Sequence, residues 1–212
     1  MNEHLSNFSH IDPDDQVFNG LFPGIGENSM CNYYSLEKFN LITIDPLFNL
    51  SLFNFNIRSF AANGTTFEAL LHSFSIRPKF IVLTETWNSP TTYELCHLES
   101  FTAIHTYRDN MRGGGVSIFC DDGFRLEKME DLSLCNATIE TCVGRVFFGD
   151  EYLVICGVYR PHTDSIENFT SVLEGLLNTD IVRRASFVLL TGDMNINLAN
   201  IESSYVDIMF LF

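Results

Sequence analysis

The continuous apolar run from Phe80 to Thr84 constrains the fold more than any other feature of the chain. A short run without polar alternation is typical of a strand buried on both faces, as in sheets covered by helices. An alternating pattern over Leu50–Ile57 predicts another strand. Between them, Asn63-Gly64 predicts a turn, and a helical spacing of apolar residues continues until Pro78 ends it. The apolar residues with this spacing are Phe67, Leu70, Leu71 and Phe74. Strand, helix and strand in this order predict a crossover unit with parallel strands.

The second half of the chain predicts further strands and one more helix. The Gly113–Gly115 hinge leads into a strand at Val116–Phe119, and the segments 139–148 and 152–159 flank a Gly149-Asp150 turn as a hairpin. Asp164, with Glu167 three residues later, resembles a capping-box helix start. The apolar stripe of that helix comprises Ile166, Phe169, Val172, Leu173, Leu176 and Leu177. Phe187–Thr191 predicts another buried strand, so the fold class is mixed α/β.

Charge divides the chain into two parts. The 212 residues carry 27 acidic and 12 basic side chains, a net charge of −15. Seven acids and one base fall in the first 50 residues, so residues 1–49 are expected to form a loosely structured acidic leader, and residues 50–212 the folded domain. With 46% hydrophobic residues the chain is too apolar for a disordered protein. The acidic balance by itself disfavours nucleic acid, which attracts clustered Lys and Arg.

Targeting and cysteine patterns favour an intracellular protein, nuclear or cytoplasmic and not secreted. The N-terminus lacks the basic start and apolar stretch of a secretory signal, and no apolar run approaches the roughly 18 residues of a membrane span. The six cysteines show no Cys-x-x-Cys spacing, which predicts free thiols in a reducing compartment.

Polar side chains that suit metal or phosphate binding follow three of the predicted strands. Asn56 ends the first strand, Glu85 follows the second, and Asp193 and Asn195 follow the last. Loops at strand ends converge while the strands hold them rigid. Mg²⁺ needs only one or two carboxylates with an amide oxygen and retained waters, which Glu85 and Asn56 supply. Asp193 and Asn195 would orient the attacking water and hold the phosphate, with Tyr159 as a further donor.

Each of these residues also has an ordinary structural interpretation. Asn56 alone suits a loop cap, Glu85 alone suits a solvated surface, and Gly-Asp-x-Asn alone suits a turn. Arg112-Gly-Gly-Gly favours a flexible connection over a phosphate-binding loop, because no helix pattern follows it. Only their joint order, each at the end of an apolar run, favours a shared site.

Five motifs in this order resemble the endonuclease/exonuclease/phosphatase superfamily. They are Phe55-Asn-Ile-Arg-Ser59, Leu83-Thr-Glu-Thr-Trp87, Arg112-Gly-Gly-Gly-Val116, Val158-Tyr-Arg-Pro161 and Leu190-Thr-Gly-Asp-Met-Asn195. Within the superfamily the chain is most similar to the apurinic-type endonuclease domain of non-LTR, LINE or jockey-like, retrotransposon polyproteins. The likeness covers about residues 50–212.

The resemblance implies a four-layer α/β sandwich of the DNase-I-like type and a divalent metal, Mg²⁺ or Mn²⁺. It also implies nicking of DNA, whose new 3′-hydroxyl primes reverse transcription by a fused reverse transcriptase. Carried over by motif, Glu85 and Asn56 would bind or support the metal, and Tyr159 would contact the phosphate. Asp193 would orient the water and Asn195 would hold the scissile region. His162 receives no catalytic role.

The family pattern continues beyond the last recognised motif with a Ser-Asp-His or related element, which this sequence does not contain. We therefore expect a domain that is incomplete at its C-terminal end, with the apolar run 208–212 uncovered. Two alternatives stay open. One is an inactive, truncated remnant, and the other is a phosphatase or phosphodiesterase of the same superfamily acting on inositol phosphates or lipids, which the acidic charge would favour.

Overall fold

The computed structural model describes residues 35–41, 51–109 and 111–196, which form eight strands and four α-helices. The strands are β1 Leu52–Asn56, β2 Phe80–Thr84, β3 Phe101–Thr106, β4 Val116–Asp121, β5 Arg125–Lys128, β6 Glu140–Phe148, β7 Glu151–Tyr159 and β8 Phe187–Asp193. The α-helices are α1 Leu36–Phe39, α2 Phe60–Ser73, α3 Ile166–Leu177 and α4 Asp180–Arg183, and 3₁₀ turns occupy Tyr93–Leu95 and Glu130–Leu132.

The strands form two four-stranded sheets. The first sheet has the order β1-β2-β4-β3, with β1 and β2 parallel and the other pairs antiparallel. The second has the order β5-β6-β7-β8, with β7 and β8 parallel. Each sheet therefore contains one parallel pair, and in both pairs the intervening chain contains a helix, as a parallel connection requires.

Three apolar clusters show the layering. Between the sheets, Phe80 and Val82 of β2 share a cluster with Val146 and Ile155 of the second sheet. On the outer face of the first sheet, α2 packs through residues such as Phe67 against the alternate residues of β2. On the outer face of the second sheet, α3 and α4 cover β6 and β7. Alternating side chains of one strand thus enter two cores, which accounts for the continuous apolar run predicted to be buried on both faces. The α/β sandwich is confirmed.

The helix start was predicted too late. Helix α2 begins at Phe60, and Asn63 and Gly64 lie within it instead of forming a turn. The Ser59 side chain caps the helix by accepting from the Ala62 N–H, while Asn63 donates to the Ile57 and Arg58 carbonyls. Glycine suits this helical position because a Cβ at position 64 would approach the Phe60 ring to 2.9 Å.

Two predictions in the C-terminal half also need correction. The N-cap of α3 is Ser165, whose side chain accepts from the Asn168 N–H, whereas the Asp164 carboxylate binds Thr138 and Asn168 side chains. Strand β8 is not fully buried, because it forms one edge of its sheet among the described strands. Its first residue, Phe187, is 61% exposed.

Part of the predicted leader contacts the domain. Phe39 of α1 packs edge-on against Phe53 and Phe74, and Asn40 exchanges hydrogen bonds with Ser73 and Ser75. The boundary near residue 50 stays a prediction, and the run 208–212 lies outside the described residues.

Of the six cysteines, Cys31 lies outside the described residues. The five described cysteines are all free, in agreement with the prediction, and burial raises the pKa of each thiol. None of the described helices has the length and apolar character needed to cross a bilayer.

Candidate active site

The ends of β1 and β2 stay together after the strands finish. Asn56 lies opposite Thr84 in the parallel register, and the Ile57 N–H then donates to the Thr84 carbonyl at 3.0 Å. The Ser59 N–H donates to the Glu85 carbonyl at 2.7 Å. This backbone pairing places Asn56 and Glu85 side by side at the carboxyl ends of β1 and β2, as the strand pattern predicted.

The second sheet brings a matching pair of strand ends to the site. Tyr159, the last residue of β7, lies opposite Asp193, the last residue of β8. Beyond them, the buried Arg160 donates to the Met194 carbonyl at 2.8 Å and to the Asn195 carbonyl at 2.7 Å. Asn195 returns a side-chain hydrogen bond to the Arg160 carbonyl at 2.8 Å. These reciprocal bonds hold the segment that carries Asp193 and Asn195 against the end of β7.

Hydrogen bonds across the sandwich join the two sets of strand ends. Asn56 Nδ2 donates to Asp193 Oδ2 at 2.8 Å, and two residues earlier Asn54 Nδ2 donates to the Gly192 carbonyl at 3.3 Å. On the neighbouring strands, the Tyr159 hydroxyl lies near the Glu85 carboxylate, and their interaction lowers the pKa of Glu85 and raises the pKa of Tyr159. The structure therefore gathers Asn56, Glu85, Tyr159 and Asp193 at one end of the sandwich, although β1 and β8 are far apart in sequence.

Glu85 has the most elaborate surroundings of these residues. Its backbone φ is 56°, and its Oε2 atom accepts from the Trp87 indole N–H at 2.5 Å and from the Gly114 N–H at 3.1 Å. Burial raises the pKa of Glu85, but the hydrogen bonds from Tyr159, Trp87 and Gly114, together with the Arg108 charge, outweigh it. The net pKa lies below the ordinary value of 4.5, so the carboxylate is ionised at neutral pH.

The pKa of Tyr159 is shifted upward, whereas that of Glu85 is shifted downward. Burial raises the pKa of its phenol, and the adjacent Glu85 carboxylate raises it further. The hydroxyl therefore keeps its proton at neutral pH and can donate it in a hydrogen bond to a phosphate oxygen or to Glu85.

The carboxylate of Asp193 is held from both sides. Its Oδ2 accepts from Asn56, and its Oδ1 accepts from the Asn195 backbone N–H at 3.2 Å. Asn195 has φ 50°, and its side-chain nitrogen donates to the Arg160 carbonyl, while its Oδ1 accepts no hydrogen bond from the residues that the structure describes. His162 is exposed.

Sequence reasoning missed a buried ion pair beside Glu85. Glu140, at the start of β6, is completely buried and accepts from Arg108 Nε at 2.6 Å and from the Gly115 N–H at 2.5 Å. Burial raises the pKa of Glu140 against the opposing effect of these two partners. The available signal was a carboxylate in a segment, 139–148, that is otherwise dominated by apolar residues.

The oxygen donors suit a divalent ion that retains water. Among the described residues, no cluster of three or more His, Cys, Asp or Glu side chains has the geometry of a metal cage. Mg²⁺ does not require one, since it binds through one or two carboxylates and keeps several waters. Ionised Glu85 and the amide oxygen of Asn56 are hard ligands of this kind, so the residues present fit a magnesium-type ion.

Comparison with known proteins identifies the fold. No family model and no curated protein matches the sequence. Several solved structures match with TM-scores of 0.50 to 0.55. The AP endonuclease LMAP from Leishmania major has a TM-score of 0.55 at 12% identity, over 74% of this chain and 58% of that one. A humanised D. rerio TDP2 has a TM-score of 0.51 at 15% identity, over 76% and 70% of the two chains.

The endonuclease domain of TRAS1, a telomere-specific non-LTR retrotransposon, has a TM-score of 0.50 at 11% identity, over 69% of this chain and 59% of that one. The chain thus spans less than two thirds of the length of two of these three structures. At such identities the likeness shows the fold, which is the DNase-I-like α/β sandwich.

Proposed function

We propose that the chain is a metal-dependent phosphodiesterase domain that nicks DNA. The observation that carries the proposal is the pair of cross-sheet contacts, Asn56 with Asp193 and Glu85 with Tyr159. They bring two carboxylates, an amide and a protonated phenol to one place, which is the set that hydrolysis of a phosphodiester needs.

Each side chain has a role that follows from its contacts. Glu85, ionised and fixed by Trp87 and Gly114, and the Asn56 amide oxygen would hold Mg²⁺, which supplies charge neutralisation at the phosphate. Asp193, with both oxygens already oriented by Asn56 and Asn195, would position a water and accept its proton. Tyr159 would donate to a non-bridging phosphate oxygen, where charge develops in the transition state.

The bond changes are those of hydrolysis. The oxygen of the water forms a bond to phosphorus, and the bond from phosphorus to the 3′ oxygen breaks. The leaving 3′ oxygen would take up a proton from solvent, and Asp193 would release to solvent the proton it accepted from the water. The products are a 5′-phosphate and a 3′-hydroxyl. Asn195, whose backbone N–H donates to Asp193 Oδ1, would help to hold the scissile region.

The distribution of arginine favours a nucleic-acid substrate in spite of the net charge of −15. Four of the 12 basic residues lie in segments that follow or connect strands at the site: Arg58, Arg108, Arg112 and Arg160. Arg108 and Arg160 are committed to internal contacts, whereas Arg58 and Arg112 are exposed. The exposed pair would meet phosphates of the strand on either side of the cleavage point.

The retrotransposon assignment rests on the five ordered motifs and gains support from the fold shared with the TRAS1 endonuclease domain. In that role the 3′-hydroxyl would prime reverse transcription by a fused polymerase domain. The protein would then have to be located where it can reach chromosomal DNA.

The decisive experiment is nicking of supercoiled plasmid by the purified chain with Mg²⁺ or Mn²⁺ and with EDTA. We expect metal-dependent conversion to open circles that is lost in Glu85→Gln and Asp193→Asn. The matched controls are Glu127→Gln and Asp121→Asn, which remove ion-paired carboxylates remote from the site. Val116 pairs with Thr84, next to Glu85, and Asp121 lies five residues further along β4, which is roughly 16 Å along the strand at about 3.3 Å per residue.

A parallel arm with phosphoinositide substrates separates the alternatives. Turnover of phosphoinositides without nicking would move the substrate class to small phosphodiesters. A folded protein that turns over neither substrate at any metal concentration would contradict the proposal and favour an inactive remnant.

A further inference from the structure

The glycine loop before β4 is joined to the Glu85 segment through its backbone. The Trp87 N–H donates to the Gly114 carbonyl at 2.9 Å, and the Thr86 N–H donates to the Gly115 carbonyl at 3.3 Å. In the opposite direction, the Gly114 N–H donates to Glu85 Oε2. The position of this loop therefore contributes directly to the orientation of the Glu85 carboxylate, together with the Trp87 indole.

The loop cannot be held by its own conformational preferences. Gly114 and Gly115 have φ values of 65° and 87°, a region that only glycine occupies freely. Their free conformational range is wide, so something outside the loop must select this one arrangement.

Glu140 provides that selection. Its Oε2 accepts from the Gly115 N–H at 2.5 Å, and its carboxylate packs flush against the Gly114 Cα. A Cβ at position 114 would lie 2.5 Å from both carboxylate oxygens. The carboxylate and the loop thus fit together only when residue 114 has no side chain.

Arg108 fixes Glu140 in turn. Its Nε and terminal nitrogen both reach Glu140 Oε1, at 2.6 and 2.5 Å, and the Arg108 side chain is only 21% exposed. One oxygen of Glu140 is therefore used by Arg108 and the other by Gly115. A buried carboxylate with both oxygens bound is costly to assemble for stability alone, since an apolar residue would do as well. This arrangement is better suited to fixing geometry.

We propose that Glu140, paired with Arg108, is a positioning residue that sets the Gly114–Gly115 backbone and, through it, the orientation of Glu85 and Trp87. The inference rests on the proposed function insofar as the oriented Glu85 binds a metal ion. The hydrogen-bond path itself runs from Arg108 to Glu140, to the glycine loop and to Glu85, and of these groups only Glu85 is assigned a contact with the metal ion.

The test uses Trp87, the sole tryptophan of the chain, as a reporter. Its indole N–H is bound to Glu85 Oε2, so ¹⁵N-labelled full-length protein gives one indole resonance that reports the orientation of Glu85 without metal. In Glu140→Gln only one oxygen remains, so either Arg108 or the Gly115 N–H loses its acceptor. We expect the indole resonance and the Gly114 amide resonance to move and the Mn²⁺ dissociation constant to rise about 10- to 100-fold.

The matched control is Glu127→Gln, which removes a carboxylate paired with Arg145 at 2.7 Å between β5 and β6. It should leave both resonances and the metal affinity unchanged. If Glu140→Gln does not fold, Arg108→Gln serves instead, because Arg108 reaches the surface and its loss frees Glu140 Oε1.

Either variant, folded and with wild-type indole and Gly114 resonances, overturns the inference. Wild-type protein that binds no metal but shows the resonance shift in Glu140→Gln would count against the proposed function alone. The two proposals can therefore fail separately.

Discussion

Asn56 Nδ2 donates a 2.8 Å hydrogen bond to Asp193 Oδ2, joining side chains that are 137 residues apart in the sequence. The bond connects the end of the edge strand β1 with the end of β8 in the opposing sheet. It orients the carboxylate to which we assign the attacking water, so its loss should affect catalysis more than folding.

Asn56→Ala should reduce the nicking rate about 10- to 100-fold or more, because it removes both the bond that orients Asp193 and the amide oxygen that we assign to the metal. The free energy of unfolding should fall by only about 1 kcal/mol, because the residue is exposed. Plasmid nicking and urea unfolding measure the two effects. Asn54→Ala is the matched control, since it removes a bond from β1 to the Gly192 carbonyl without touching the carboxylate. Equal activity losses in both variants would contradict the assignment.

Tyr159→Phe should lower the nicking rate by about 100-fold, because one donor to the developing phosphate charge is lost. It should also move the acidic limb of the pH–rate profile to higher pH. The reason is that the Tyr159 hydrogen bond lowers the pKa of Glu85, and its removal lets that pKa rise toward 4.5. Tyr152→Phe removes a hydroxyl on the same strand that binds the Ile181 carbonyl at 2.8 Å, and its profile should match the wild type.

Acid unfolding should depend on Glu85. The folded-state pKa of Glu85 is lower than its ordinary value of 4.5, so the folded protein prefers the ionised form. That contribution is present above pH 4.5 and is lost as the pH falls through the folded-state pKa. Glu85→Gln should therefore flatten the decline in the free energy of unfolding below pH 4.5. Urea titrations between neutral pH and pH 3 measure it, and an unchanged slope would contradict the pKa direction.

Arg112→Gln should weaken DNA binding and reduce the slope of log K against log salt concentration by about 1, as expected for one phosphate contact. Arg112 is exposed and stacks over the Trp87 ring at 4.8 Å, next to Glu85. Arg125→Gln is a close control because Arg125 is also exposed and lies 4.8 Å from the Phe147 ring, in β5. Fluorescence anisotropy with labelled duplex at several salt concentrations distinguishes them. Identical slopes for both variants would remove Arg112 from the interface.

Gly192→Ala should lower the free energy of unfolding by about 2 kcal/mol or more, which is typical of backbone strain combined with a clash. Gly192 has φ 147°, and a Cβ there would overlap the Val158 carbonyl group of the neighbouring strand. Gly175→Ala is the opposite case, since the residue lies within α3 and a Cβ meets nothing within 4 Å. That variant should gain roughly 0.5 to 1 kcal/mol. Urea unfolding of both variants gives the comparison.

Local sequence patterns determined much of the scaffold. The apolar run 80–84 predicted a strand buried on both faces, and β2 is that strand, because its alternate residues enter two different cores. The Gly149-Asp150 hairpin was found in the same way, since period-two strands and their turn are neighbours in sequence. The candidate residues were found because polar side chains at strand ends interrupt apolar runs.

Tertiary structure decided what local patterns could not express. The apolar run beginning at Phe187 suggested a buried strand, yet β8 lies at one edge of the described sheet and Phe187 is largely exposed. A sequence period reports which side chains share a face, but not whether another layer covers that face.

The sequence by itself determined which strands exist and which chemical groups stand at their ends. Only the folded sandwich decided that the end of β1 meets β8 and that Glu140 is buried against Arg108 and the glycine loop. The physical reason is the separation in sequence between the residues that interact. Strand and helix patterns arise from neighbours a few residues apart, whereas these contacts join distant segments whose proximity depends on how two separate sheets pack. Net charge is subject to the same limit, since −15 is a sum over the whole chain, while the charge beside the site depends on which arginines and carboxylates the fold brings together there.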